Sequence, residues 1–337
     1  MSALAPWLQV QLQGLMTRPG HAFLLQGASG LGQYELGLAL AAAWLCHAPT
    51  SAGACGVCPS CHGIEVRAHA DLSVLMPETN MLALNWPLSE KAQKDIDDKK
   101  RKPSKEIRVD ALRDAVEFAQ RTSARGRGKV VLVYPAERMN HIAANALLKT
   151  LEEPVGEVRF VLASEAAHQL LPTIRSRCLT HTLAWPAPHE ALAWLSDQMP
   201  EPDAQVLLRA AGGRPEEAVR WAQAGLSARQ WSALPQALAR GEVGALADWS
   251  PAQAVDALQK VCHDLLVVGA GGQPRFFAQA DLPVAVPLVP LAAWWRELAD
   301  TLRTAEHPFN PGLMHEALVS RARVALHSTR PQPARRT

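Results

Sequence analysis

Gly27-Ala28-Ser29-Gly30-Leu31-Gly32-Gln33-Tyr34 follows the apolar run Ala22-Phe23-Leu24-Leu25 and precedes a helical pattern from Leu36 to Leu45. Strand, glycine-rich loop and helix, in that order, set backbone N–H groups and a helix N-terminus where they can cradle phosphate. The spacing meets the phosphate-loop pattern Gly-x-x-x-x-Gly-Lys-Ser/Thr, with Gly27 and Gly32 in the glycine places and Gly30 between them. Both chemical positions fail. Gln33 stands where a lysine reaches the phosphates, and Tyr34 stands where a small hydroxyl holds magnesium. The loop has the shape of a nucleotide site without its chemistry.

Buried strands and helices alternate on either side of this loop. Asp71-Leu72-Ser73-Val74-Leu75 reads as a strand, and Val109 to Gln120 carries a helical stripe of Val109, Leu112, Val116 and Ala119. Lys129-Val130-Val131-Leu132-Val133 and Phe160-Val161-Leu162-Ala163 are near-continuous apolar runs, which suit strands covered on both faces. Asn140 is placed to cap a helix carrying Ile142, Ala146, Leu147 and Leu151, and Pro154 stops it. Leu170 to Arg177 forms a short helix or turn before Leu179–Leu183, and a short helix with Trp7, Val10, Leu12 and Leu15 opens the chain. Residues 1–185 therefore read as an α/β domain with a parallel sheet flanked by helices.

The composition changes at Trp185-Pro186-Ala187-Pro188, a linker. Three helices are expected in a small domain over 186–226, at Glu190–Gln198, Gln205–Ala211 and Glu216–Ala224. From 227 to 330 the pattern is helical throughout, with Trp231, Trp249, Trp294 and Trp295 as core or interface anchors, and 331–337 is expected to be a disordered tail. No internal repeat is found. The polar segment 85–106 sets seven basic residues against five acidic ones. That near-balance reads as a solvated insertion loop in preference to a DNA-binding patch. The formal net charge of the 337-residue chain is only +2, which excludes a general affinity for polyanions. No basic, then apolar, export signal opens it, and the apolar stretches are too short or too broken by proline to span a bilayer. A cytoplasmic protein is expected.

Four of the six cysteines fall between Cys46 and Cys61. Cys55-x-x-Cys58-x-x-Cys61 brings thiolates toward one ion, and Cys46, at the end of the preceding helix, can close a tetrahedron. Four sulfurs leave no open position, so the expected ion is one structural Zn2+. His47 and His62 are alternative ligands. An iron–sulfur cluster is disfavoured because Glu65 sits where a further cysteine is wanted. Cys178 and Cys262 read as packing residues.

A nucleotide hydrolase of this type also needs acids at the end of a buried strand, to hold magnesium and orient water. After Val133 come Tyr134 and Pro135, neither acidic. Glu137 lies two residues later, before Arg138, and reads as a solvated or ion-paired turn residue. Two losses at matching positions describe a retired nucleotide site.

Two later segments are more specific. Asn145-Ala146-Leu147-Leu148-Lys149-Thr150-Leu151-Glu152-Glu153-Pro154 resembles the helix after the acidic strand in bacterial clamp-loader subunits, and Ser176-Arg177-Cys178 resembles their Ser-Arg-Cys motif. With the four-cysteine module and the altered loop, the chain resembles the delta-prime branch of the DNA polymerase III clamp-loader family. The likeness covers nearly all of 1–225 by motif, and 227–330 by length and helical character. It implies an AAA+ module, a helical lid (186–226) and a helical collar (227–330) that joins tau/gamma and delta subunits in a five-membered ring. The ring loads the sliding clamp on primer-template DNA in the bacterial cytoplasm, with no membrane involved. The resemblance further implies no functional ATP or magnesium site in this chain, and a trans arginine finger at Arg177, favoured over Arg175 because it holds the motif position. A guanidinium supplied by a neighbour stabilises charge building on a γ-phosphate. Ser164 and Arg214 fall at the family's sensor positions.

Two other readings compete. An active AAA+ ATPase of the tau/gamma type is opposed by Gln33, Tyr34 and Tyr134. A zinc-ribbon nucleic-acid binder would need a basic face beside the cysteines, where only Arg67 and His69 stand.

Overall fold

The computed structural model describes residues 4–284, 286–305, 307 and 309–327; the side chains of 141 and 143 and the tail expected at 331–337 lie outside the described residues. The chain divides into two compact units, Met1–Glu190 and Ala191–Thr337. Among the described residues no helix is long and apolar enough to cross a membrane.

The first unit runs α1 (Pro6–Met16), β1 (Ala22–Gln26), α2 (Gln33–Leu45), α3 (Pro59–Glu65), β2 (Leu72–Leu75), α4 (Glu78–Ala83), α5 (Glu90–Asp97), α6 (Val109–Gln120), β3 (Lys129–Val133), α7 (His141–Glu152), β4 (Val158–Ser164), α8 (Pro172–Arg175) and β5 (Leu179–Thr182). The five strands form one sheet, ordered β2-β3-β4-β1-β5, and every pairing is parallel. This is the parallel α/β module that the patterning predicts. Parallel strands need a crossover between them, and the helices supplying it cover both faces. That is why β3 and nearly all of β1 and β4 are buried along their length.

Gly37 lets α2 lie close on the sheet, since a methyl group there would stand 2.9 Å from Leu132. On another face Leu112, Ala115 and Ala119 of α6 meet Leu147 and Leu151 of α7 over Leu24, Val131, Phe160 and Leu162. In α1 it is Trp7, Leu8, Leu12 and Leu15 that are buried, whereas Val10 is exposed, one step off the apolar stripe.

The segment 85–106 differs from the solvated loop expected. Ser89 caps α5, accepting the Ala92 N–H at 3.3 Å, and Gln93 bonds Asp97 one turn on. Arg101 grips the buried Glu78 with two hydrogen bonds of 2.5 and 2.8 Å, and the Ser104 N–H adds a third at 2.8 Å. The summed charge of the segment conceals these specific pairings.

The second unit contains α10 (Glu201–Ala210), α11 (Pro215–Gln223), α12 (Ala228–Arg240), α13 (Pro251–Gly269), α14 (Leu288–Thr304) and α15 (Pro311–His327), entered through α9 (Pro188–Ser196). Ala191, Leu195, Ala204, Leu207 and Ala218 form one cluster, and a larger one gathers α12 to α15 around Trp231, Leu258, Trp294 and Val319. Trp231 and Trp294 are core residues; Trp249 is half-buried and Trp295 is 38% exposed. The helical pattern breaks over 270–284, where Gly271, Gly272, Pro274 and Pro283 oppose it. This stretch is pinned by the buried Asp264, whose carboxylate accepts the N–H groups of Arg275, Phe276 and Phe277.

One buried network holds the sheet to its loops. Asp71, at the entrance to β2, accepts from the N–H groups of Ala124 and Arg125 and from the Ser123 hydroxyl, at 2.7 to 3.0 Å. Lys129 lies 3.5 Å away, itself buried under the Phe118 ring. Burial works to raise the Asp71 carboxyl, but these donors and Lys129 hold it below the ordinary carboxylate range. Asp71→Ala is therefore expected to cost about 3–5 kcal/mol, because it strands a buried ammonium. The depressed folded-state pKa contributes stability above the unfolded value near ~4, and the contribution is lost as pH falls through the folded value. Urea unfolding of wild type and mutant should show the gap between them narrowing below that pH.

Candidate functional site

The phosphate-loop stretch joins β1 to α2, and its shape is the expected one. Gly30 and Gly32 have φ of 82° and 95°, and Gly32 is the N-cap of α2. A Cβ at Gly32 would also meet Leu8 of α1 at 2.5 Å, so packing as well as backbone requires glycine. Gly27 sits at the start, its N–H donating to the Ser164 carbonyl at 3.2 Å.

At the lysine and hydroxyl positions of the phosphate-loop pattern, the side chains turn to partners within the chain. Gln33 is buried and curls back, donating from Nε2 to the Ala28 carbonyl at 2.7 Å. That bond turns its amide back onto the loop. Tyr34 is 5% exposed; its hydroxyl accepts from Trp86 Nε1 at 2.6 Å. Burial keeps this phenol above its ordinary range and hence neutral. Its ring lies 5.4 Å from that of Tyr134, centroid to centroid. The two departures from the ATPase pattern, one from each side of the pocket, thus pack against each other.

The acidic-strand position is equally occupied. Tyr134, joined to Pro135 by a cis peptide, donates its hydroxyl to Glu165 Oε1 at 2.8 Å. Glu137 is not the solvated or ion-paired turn residue expected from its neighbour Arg138. It accepts the Ser164 hydroxyl at 2.7 Å and the Glu165 N–H at 3.1 Å, joining the ends of β3 and β4. Ser164 itself is fully buried and pairs in register with Gln26, the last residue before the loop. Arg214 belongs to the second unit, where it is the N-cap of α11 and donates to the Ala211 carbonyl at 2.7 Å.

The two most specific sequence segments meet. Arg177, just past α8, donates from Nε to Glu152 Oε1 at 2.5 Å and from Nη1 to the Thr173 carbonyl at 2.8 Å. Glu152 is the last residue of α7, the helix of the Leu-Glu-Glu-Pro motif. About a third of the Arg177 side chain remains exposed. Arg175 is exposed in the last turn of α8.

The four thiols form the second centre. Cys46 ends α2, Cys58 is the N-cap of α3, Cys61 lies inside α3, and Cys55 precedes them in the loop. Their sulfurs lie within 4.8 Å of one another. Four of the separations are 3.5, 3.7, 3.8 and 3.9 Å. A tetrahedron with zinc–sulfur arms of ~2.3 Å has edges of about 3.8 Å. The donor set therefore fits one metal ion. Partial burial opposes ionisation of Cys58, yet hydrogen bonds from the Cys61 and His47 backbone and from neighbouring thiols bring it down to about 6. Burial, with Cys58 alongside, pushes Cys61 up to about 12.

Neither His47 nor His62 joins this group. His69 Nδ1 accepts the Asp71 N–H, so its Nε2 donates to Ser60, and Ser60 in turn donates to His47 Nε2. This chain fastens α3 to β2. Arg67 is stacked over Trp86 at 4.7 Å. The two basic side chains nearest the cysteines are thus engaged internally, which counts against a nucleic-acid-binding ribbon. Cys178 and Cys262 carry thiols raised to about 12 by burial, in keeping with packing roles.

The geometry defines a parallel α/β module with a phosphate-loop-shaped turn after β1 and a four-thiol centre. Residues 7–186, more than half of the chain, match the family model described as DNA polymerase III, delta subunit. The chain belongs to this family. It is 39% identical over 226 residues to the DNA polymerase III subunit delta' of Pseudomonas aeruginosa, covering 65% of this chain and 62% of that protein. It is 34% identical to the delta' subunit of Escherichia coli, covering 64% of this chain and 59% of that one. The tau subunit of Escherichia coli is 34% identical over 159 residues, which are 47% of this chain and 21% of tau. The chain thus spans about three-fifths of the length of the delta' relatives it matches.

Sequence patterning missed Trp86, whose bond to Tyr34 crosses 52 residues. The available signal was a lone tryptophan in an otherwise polar segment. The pairing is testable by a double-mutant cycle of Tyr34→Phe and Trp86→Phe. Each change leaves one buried polar group unmatched and should cost about 1–2 kcal/mol, and the double mutant should lose less than the sum. Urea denaturation reads the coupling.

Proposed function

We propose that this chain is the non-hydrolysing, bracing subunit of a bacterial clamp loader. The observation that supports the reading is the Tyr34–Tyr134 contact, with Gln33 turned back on its own loop. In this reading the α/β module spans 1–185, the lid 186–226 and the collar 227–330, and the chain joins tau/gamma and delta subunits in a five-membered cytoplasmic ring. The ring opens the sliding clamp and closes it on primer-template DNA. Ser164 and Arg214 then serve as structural remnants of sensor residues.

Arg177 acts on the neighbour. It lies on the surface, held at Nε and Nη1 by Glu152 and the Thr173 carbonyl, so its direction is set before a partner arrives. A guanidinium aimed at a γ-phosphate in the adjacent subunit needs no nucleotide in its own chain. The four thiols hold one Zn2+, which clamps the end of α2 to α3. It supplies no open coordination position, and so no chemistry.

Arg177→Ala should leave ring assembly intact and slow ATP-dependent clamp loading at least about tenfold in a reconstituted complex. Unchanged loading would remove the trans role. The isolated wild-type chain should bind no ATP, and turnover by it would replace this reading with the tau/gamma-like motor. Metal analysis should find about one zinc per chain, released by chelator on denaturation. Cys58→Ser should lose most of that zinc and melt earlier, and a folded, metal-free wild-type preparation would count against the clamp.

A further inference from the structure

The second unit contains a pocket of about 250 Å³ between α11, α12 and the start of α13. Ligand sites for drug-sized molecules begin at roughly 300 Å³, so this one is scaled to a side chain. Three tryptophans line it. Trp231 is its fully buried floor; Trp221 stands 5.5 Å from it, tilted by 30°, and Trp249 stands 6.2 Å from it, nearly parallel at 15°. The charged lining residues are Asp248 and Asp256, and no basic side chain lines the pocket.

The same cluster already holds one cation from behind. The buried ammonium of Lys260 lies 4.3 Å from the centre of the Trp221 ring and 2.7 Å from Asp256. Burial pulls this ammonium below its ordinary range, and Asp256 opposes the shift while the indole face lies against the charge. On the open side Asp248 is exposed and has no side-chain partner among the described residues. The side-chain oxygens of Gln230 and Gln253 are engaged in capping α12 and α13 through Ser227 and Ser250.

We infer that this pocket is a seat for an arginine side chain presented by a partner polypeptide. A guanidinium is planar, stacks on indole faces and pairs with a carboxylate at its edge. A lysine ammonium would lose the stacking, and a neutral planar group would leave Asp248 unpaired. The site is independent of the nucleotide loop and of Arg177.

The test is a titration of the full chain, labelled with 15N at its indole groups, with a capped Gly-Arg-Gly peptide. The Trp221 and Trp249 indole signals should shift and saturate, while the exposed Trp295 signal stays still. The peptides with citrulline or lysine in place of arginine should shift them little. Asp248→Asn, at an exposed position that packing does not depend on, should weaken binding about fivefold, and Trp249→Ala should abolish it. Absence of a shift, equal shifts with citrulline or lysine, or unchanged affinity in Asp248→Asn would each overturn the proposal. A chain ending at His327 forms a further arm. Unchanged affinity there keeps the seat for a partner; a several-fold gain gives it to the chain's own terminal arginines and overturns the partner assignment.

Discussion

The ring contact between Tyr34 and Tyr134 is the constraint on which the chemistry of the first unit depends. One ring comes from the start of α2 and the other from just past the end of β3. Each hydroxyl is tied off, Tyr34 by Trp86 and Tyr134 by Glu165. The contact makes a small core, with aromatic area buried and polar ends matched. Gly32 is required where the loop passes Leu8 and starts a helix, a demand of packing and of backbone conformation.

Around that contact, the remaining polar interactions join strand ends to one another. Glu137 links β3 to β4 through Ser164, and Asp71 links β2 to the turn before β3. The four-thiol module is fastened beside them through the His47–Ser60–His69 relay. Arg177 is the exception in orientation. Its partner Glu152 is on α7, and part of the guanidinium faces outward. A partly exposed pair of this kind contributes little to stability, in the range of ~0–1 kcal/mol.

Much of this was open to reading in the residues alone. Lys129–Val133 and Phe160–Ala163 announce buried strands because a parallel sheet covered on both faces leaves no polar alternation. Cys55, Cys58 and Cys61 announce their centre because the spacing is local. What could not be read are pairings made across long stretches of chain, such as Trp86 with Tyr34, Arg101 with Glu78 and Ser164 with Glu137. Periodicity reports which face of an element is covered, and charge counts report a sum; neither says which acid meets which donor. The helical pattern of the second unit hid the break at 270–284, because a single buried carboxylate, Asp264, organises a loop whose sequence shows only glycine and proline.

The sheet also constrains how such a module can meet other chains. Its two outer strands, β2 and β5, are four residues each, shorter than the three inner ones. At the β5 side, Gln11 accepts the Ala184 N–H just beyond the strand and hydrogen-bonds the His181 ring. Short, partly covered rims offer a poor template for a foreign strand. Association by sheet extension is thereby discouraged, and a neighbour is directed to side-chain surfaces, where recognition can depend on which residues are present.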